Sequence, residues 1–316
     1  MRAKITPITN RPVTTWENAA AAFLSYKTLQ GISPRAQMDL SQLLRQFFKL
    51  FPAAWGDPAT MRDAFTQWAT SAPIAPDTFN HRLNALRAFW QWATSEGIQP
   101  PGIDPFRGIK RRPAPGKFRN IDAEKVKELL ALPDRKTWAG LRDYALMLFT
   151  LDTAARPGEA LQLLPTDFDL SSFAVTIPAP AAKTRRPRTL PFSPTTAAAL
   201  KRFLMYRPQE WENAPVFSSV TGHALTVSRW NSRLKKYRLR DGFTFKPYDL
   251  RHAACTLHLR AGMNGETLQR LMGHSTPTMT QRYIHLTDDD LKKAQALTSP
   301  VELLAARDKR APRTIK

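Results

Sequence analysis

The chain has 316 residues, 42% of them hydrophobic, and a formal net charge of +21 from 47 Lys and Arg against 26 Asp and Glu. This length and apolar content suit two domains or one large one and exclude a disordered polycation. The charge excess favours a polyanionic partner, nucleic acid before an anionic membrane surface. Cys255 is the single cysteine, so no internal disulfide forms; it lies in the apolar run A-A-C-T-L and reads as a small buried residue in a reducing compartment. The first residues hold no signal-peptide core, and no run nears the roughly 18 apolar residues of a membrane span. A soluble cytoplasmic protein without a membrane partner is expected.

Residues 1–13 read as a polar tail, with no separate domain before Trp16. From residue 14 to 106 the pattern is helical. Thr15 caps a helix from Trp16 to Leu29, stopped by Gly31. Ser33-Pro34 starts a second, whose apolar residues Met38, Leu40, Leu43, Leu44, Phe47, Phe48 and Phe51 recur at helical spacing. A third helix is predicted over 60–70 and a fourth over 76–96, ended by Gly97. Arg35, Arg45, His81, Arg82 and Arg87 lie on these helices. They can face phosphates, with Asn80 and Asn84 near base edges, or form a solvated helix face.

From Gly97 to Asn120 the chain carries Pro100, Pro101, Pro105, Pro113 and Pro115, with Arg107, Lys110, Arg111, Arg112, Lys117 and Arg119 against the single acid Asp104. Proline and charge predict an extended, solvated interdomain linker over 107–120, able to lie along a DNA backbone so that the two domains clasp a duplex.

A second domain is predicted over 121–298. Asp122 caps one helix, 138–152 forms another, and Pro157 starts a third just after Arg156. F-A-V-T-I-P and R-T-L-P-F read as the strands of a β-hairpin with Lys183 near its tip. Helices follow over 195–206, 226–237, 251–261 and 265–272. A short one over 277–285 bears Tyr283, and a last one covers 288–297. Residues 299–316 form a basic tail.

Attack on a phosphodiester adds negative charge to the non-bridging oxygens, so catalysis needs fixed cations, and the planar arginine fork suits them. Arg156 and Arg251 are the two candidate clamps, with Glu159 one turn on from Arg156 able to orient it; a surface salt bridge is the plainer reading of either. Lys183 can protonate a leaving 5′-oxygen, whereas Arg185, Arg186 and Arg188 beside it read as backbone contacts. Tyr283, nine residues after His274, is the candidate nucleophile. Its phenol, with an ordinary pKa of about 10, needs cations nearby to form phenolate. His274 can bind the phosphate or accept the phenol proton. Metal binding by His252, His258, His274 and His285 lacks a cysteine or carboxylate to complete a set, so no metal is expected.

T-A-A-R-P-G-E-A-L, K-T-R-R-P-R-T-L-P-F, Y-D-L-R-H-A-A-C-T and L-M-G-H-S-T-P-T-M-T-Q-R-Y-I-H together resemble the motif boxes of the tyrosine recombinase, or phage integrase, family. The resemblance spans Ile121 to Leu297, and the helical half is similar in layout to the family's core-binding domain. It implies a mainly α fold with a small β-sheet: a four-helix, SAM-like core-binding domain, then an α+β catalytic domain. It implies catalytic roles for Arg156, Lys183, Tyr248, Arg251, His274 and Tyr283, with Tyr248 standing where the family most often has His. That position can donate a hydrogen bond but cannot act as an imidazole base. His252, after Arg251, reads as structural support.

The implied function is site-specific recombination through a 3′-phosphotyrosyl intermediate and a Holliday junction, without cofactor. Four protomers would act on two double-stranded DNA sites at the nucleoid, with accessory proteins an open partner class. A last helix or tail would dock on a neighbouring protomer, and the lack of an arm-type domain suggests a simple recombinase. An inactive DNA-binding relative and a relaxing topoisomerase with the same chemistry are the alternatives.

Overall fold

The computed structural model describes residues 15–114, 121–182, 185–211, 213–274, 276–281 and 295. Its contacts divide the chain into two units, Met1–Pro115 and Gly116–Lys316. The predicted tails and all but Gln295 of the predicted last helix lie outside the described residues.

The first unit holds α1 (Trp16–Leu29), α2 (Pro34–Leu50), α3 (Pro58–Thr70) and α4 (Pro76–Ser95). Thr15 and Ser33 accept from Asn18 N–H and Ala36 N–H as N-caps. Helix α3 starts two residues before its predicted place, because Asp57 accepts from the N–H groups of Ala59 and Thr60 and Pro58 suits the first turn. Phe23, Phe47, Phe48, Phe89 and Trp90 fill the core between the helices.

The segment after α4 starts out anchored on the first unit, while Arg107, Gly108, Lys110, Arg111, Pro113 and Ala114 of the predicted linker are exposed. Phe106 is fully buried, and Ile98 and Ile109 pack on the same core. Proline leaves the segment without a ladder of its own, so side chains satisfy its carbonyls. Arg62 donates to Pro105 O (3.1 Å) and Arg107 O (3.0 Å), and Arg87 to Phe106 O (2.9 Å) and Ile109 O (3.0 Å). Asn80 clasps Arg112, giving Nδ2–H to its carbonyl and taking its N–H on Oδ1, both at 2.8 Å.

The second unit holds α5 (Ala123–Ala131), α6 (Trp138–Thr153), α7 (Pro157–Ala160), α8 (Pro194–Leu204), α9 (Val227–Leu234), α10 (Pro247–Arg260), α11 (Gly265–Met272) and α12 (Pro277–Gln281). Between α7 and α8 lies an antiparallel sheet of β1 (Phe168–Asp169), β2 (Ala174–Ile177) and β3 (Arg188–Pro191), with Val175 opposite Leu190 and Ile177 opposite Arg188. Strand β1 has no counterpart in the sequence reading; two residues are too few for an alternation to register. Helix α6 packs on both α8 and α10. Buried Asp143 on α6 accepts from Arg142, from Arg233 on α9 and from Tyr237. Asp152 accepts from Ser193 and Thr196 at the head of α8. Helix α10 begins four residues before its predicted start, since Pro247 takes the first turn and Asp249 accepts the Lys246 N–H at 2.9 Å. The fold is therefore mainly α with one small sheet.

Asn80→Ala should lower the stability of the full chain by about 1–3 kcal/mol in urea unfolding, because it orphans both polar groups of Arg112. Asn84→Ala, on the exposed side of α4, should stay within about 0.5 kcal/mol. Equal midpoints for the two variants would show that the clasp adds nothing.

Candidate active site

The site grows from the end of α6. Ala154, fully buried, adopts a left-handed backbone with φ 49°, at a cost of about 1–2 kcal/mol for a residue with a Cβ. The reversal leads straight to Arg156, the N-cap of α7, whose N–H is taken by Glu159 at 3.2 Å. The Arg156 side chain then divides. Nη1 donates to Glu159 Oε1 at 3.2 Å, and Nη2 donates to the carbonyl of Gly273 at 2.9 Å.

Arg251 comes from α10 and is only 4% exposed. Its Nη1 donates to the carbonyl of Ala154, and its Nη2 to Met272 O at 2.8 Å, with His274 Nε2 at 3.3 Å. The last carbonyls of a helix have no intrahelical donor. At the end of α11 the two arginines supply donors, Arg251 to Met272 and Arg156 to Gly273. Gly273 closes α11 with φ 60°, and a Cβ there would stand 3.1 Å from Arg188 Nε and 3.2 Å from its Cζ. Glycine is thus favoured by the left-handed backbone and by the close approach of Arg188.

Guanidinium only donates, so the Arg251 contact makes His274 Nε2 an acceptor and puts the ring proton on Nδ1. Nδ1 then donates to Thr280 Oγ, 2.8 Å away on α12. Burial, with the charges of Arg251 and Arg156 beside it, pushes the imidazole down to about 4. His274 is therefore neutral near pH 7, with its Nε2 lone pair directed into the arginine cluster.

Arg156, Arg251 and His274, named from separate stretches, thus meet on one turn. Tyr248 stands in the first turn of α10, half exposed. Lys183 and Tyr283 lie outside the described residues. Two residues were missed by sequence reasoning. Thr280 carried no signal beyond its place three residues before Tyr283. Arg188, read as a backbone contact, instead lays its fork on Glu159, Nη2 to Oε2 at 2.6 Å and Nη1 to Oε1 at 3.4 Å. A signal existed for it: in R-T-L-P-F it alternates in phase with Leu190 and Phe192, both buried, so an arginine on that face needs a buried acceptor.

Arg35, His81, Arg111, Arg185 and Arg186 are exposed, and Arg35 pairs with Asp39 at 3.1 Å. Arg82 and Arg87, expected on a phosphate-facing surface, are partly buried and make contacts within the helical unit. Arg82 lies 3.9 Å over the Trp68 ring and donates to Trp68 O, while Arg87 holds the segment after α4. Asn80, expected near base edges, is buried in the Arg112 clasp. Among the described residues no three His, Cys, Asp or Glu side chains are grouped to hold a metal, and no helix is long and apolar enough to cross a membrane.

Unfolded His274 takes a proton near pH 6.5, whereas the folded chain keeps it neutral down to about 4. Between those values the unfolded state binds more protons, so stability should fall as pH falls through that window. His252, lowered mainly by burial, acts in the same direction. Urea unfolding at pH 7 and pH 5 should show this loss, and His274→Asn should lose less. An identical loss in the variant would place the acid sensitivity elsewhere.

The model of the phage integrase family matches residues 119–290. Tyrosine recombinase XerC of Chlamydia caviae is 28% identical over 53% of this chain and 54% of its own length. The chain thus spans about half the length of the first curated relatives it matches. XerC of Yersinia pestis is 27% identical over 84% of this chain and 89% of its own length. The Tn1549 transposon integrase, solved in complex with transposon right end DNA, shares the fold, with a TM-score of 0.70 over 90% of this chain and 100% of that one at 16% identity. With the family match covering more than half of its residues, the chain belongs to the phage integrase family of tyrosine recombinases.

Proposed function

We propose that the protein is a site-specific DNA recombinase that cuts and rejoins duplex DNA through Tyr283. The observation that carries this reading is the convergence of Arg156, Arg251 and neutral His274 on the turn that ends α11. The Nη groups that meet the carbonyls of Gly273 and Met272 are donors for which phosphate oxygens compete with charge in their favour.

In this reading Tyr283 Oη attacks the phosphorus as its proton passes to His274 Nε2. Arg156 and Arg251 hold the non-bridging oxygens as charge builds on them. Tyr248, one turn before Arg251, adds a neutral donor. The bond from phosphorus to the 5′-oxygen breaks, and Lys183 gives that oxygen its proton. The products are a 3′-phosphotyrosine and a free 5′-hydroxyl. Because the new ester keeps the energy of the broken bond, attack by a partner 5′-hydroxyl rejoins the strand without a nucleotide.

Likeness to a neighbour solved on transposon DNA supports double-stranded DNA as the partner. Four protomers on two sites, passing through a Holliday junction, would complete an exchange of the kind mobile elements use. Accessory proteins can assist, and the place of action is the cytoplasm at the nucleoid. Arg35, His81, Arg111, Arg185 and Arg186 are the exposed side chains offered to the backbone.

The test uses duplexes selected by the protein from a random-sequence library, each then nicked in turn across the selected site so that cleavage is trapped. Wild type should form a protein–DNA adduct on a denaturing gel, and Tyr283→Phe none. Arg156→Ala and Arg251→Ala should each slow adduct formation by about 100-fold or more. Tight binding without an adduct would leave only a DNA-binding protein. An adduct that survives Tyr283→Phe would mean another nucleophile, and relaxation of supercoiled plasmid lacking the selected site would point to a topoisomerase.

A further inference from the structure

We infer that Arg188 is a positioning residue of the strand-transfer reaction, aiming Arg156 and the Gly273–His274 turn through its paired contact with Glu159. The inference rests on the function proposed above and adds a residue to it.

Glu159 is 2% exposed, so its charge must be met by partners inside the protein. Arg188 is the one guanidinium among the described residues that engages both carboxylate oxygens, in a planar two-point pairing. Arg156 gives Glu159 only Nη1 and its main-chain N–H, which leaves Nη2 directed at Gly273. Without Arg188, both oxygens of Glu159 would draw more strongly on Arg156. The pull is toward a two-point pairing of Arg156 with Glu159, which withdraws Nη2 from the turn it now reaches.

A second contact acts in the same direction. The Arg188 guanidinium lies against the bare Cα face of Gly273, so close that a Cβ there would stand 3.1 Å from its Nε and force it to shift. It therefore supports from one side the peptide whose carbonyl Arg156 holds from the other. Its Nε is buried without a hydrogen-bond partner among the described residues, so its two Nη contacts with Glu159 are what hold it beside the turn. As the first residue of β3, opposite Ile177, Arg188 also fixes the turn end of the hairpin to the helix that Arg156 caps.

The experiment uses the full chain and the nicked duplex on which wild type forms its adduct, and follows Kd, the melting curve and the single-turnover adduct rate. R188Q should bind within about threefold of wild type yet form adduct about 100-fold more slowly, as for a misplaced catalytic group. R188K, which returns the charge without the planar fork, should recover part of that rate. E159Q/R188Q should be about tenfold faster than R188Q, because the carboxylate that misdirects Arg156 is gone.

A merely structural role predicts that the loss and recovery of the adduct rate follow the melting temperature across R188Q, R188K and E159Q/R188Q, and that result would overturn the inference. So would R188Q forming adduct within about threefold of the wild-type rate. If R188Q loses its cooperative melt, R188K and the double variant decide the matter, since the first returns a cation to Glu159 and the second removes its charge. A wild-type chain that binds and forms no adduct would overturn the recombinase reading itself, an outcome distinct from wild-type and R188Q adducts forming alike.

Discussion

A helix that ends inside a protein leaves carbonyls in need of donors, and at the end of α11 arginines supply them. Arg251 reaches Met272 and Arg156 reaches Gly273. Each contact directs a cation to the same few ångströms, and neither arginine arrives from the helix that it caps. The helix end gathers cations because its dipole and its terminal carbonyls both favour positive charge. Gly273 eases the gathering: without a Cβ it turns left-handed at no steric cost and lets Arg188 lie close against it.

The negative partner is as confined as the cations. Glu159 is the buried carboxylate between Arg156 and Arg188, and it leaves the cluster with Arg251 cationic overall. That surplus, together with burial, holds His274 neutral. The same cations that would attract an anion thus keep the imidazole neutral near pH 7 and make it a weaker base.

Arginine has a different task in the helical unit. Arg62 and Arg87, with Asn80, hold down a proline-rich segment whose carbonyls have no strand or helix to pair with. The net charge of +21 therefore overstates what is available to an external anion. Part of it serves the backbone, and the exposed remainder, Arg35 and Arg111 among them, is what a phosphate backbone can meet.

The helices, their caps and the hairpin were legible in the sequence because their causes are local: Thr15, Ser33 and Asp122 accept N–H groups three residues away, and apolar spacing marks the buried face. The family and the residues Arg156, Arg251 and His274 were legible too, since the motif boxes are short and contiguous. What the sequence could not decide is which partner each cation takes. Nothing in the residues next to Arg87, Arg82 or Arg188 points to a partner, and each finds an acceptor 14 to 29 residues away. Long-range pairing depends on how the elements stack, and a hydrogen bond between distant residues leaves no periodicity to read. The tertiary structure alone assigned Arg82 and Arg87 to the framework of the helical unit and set Arg188 beside the candidate active site.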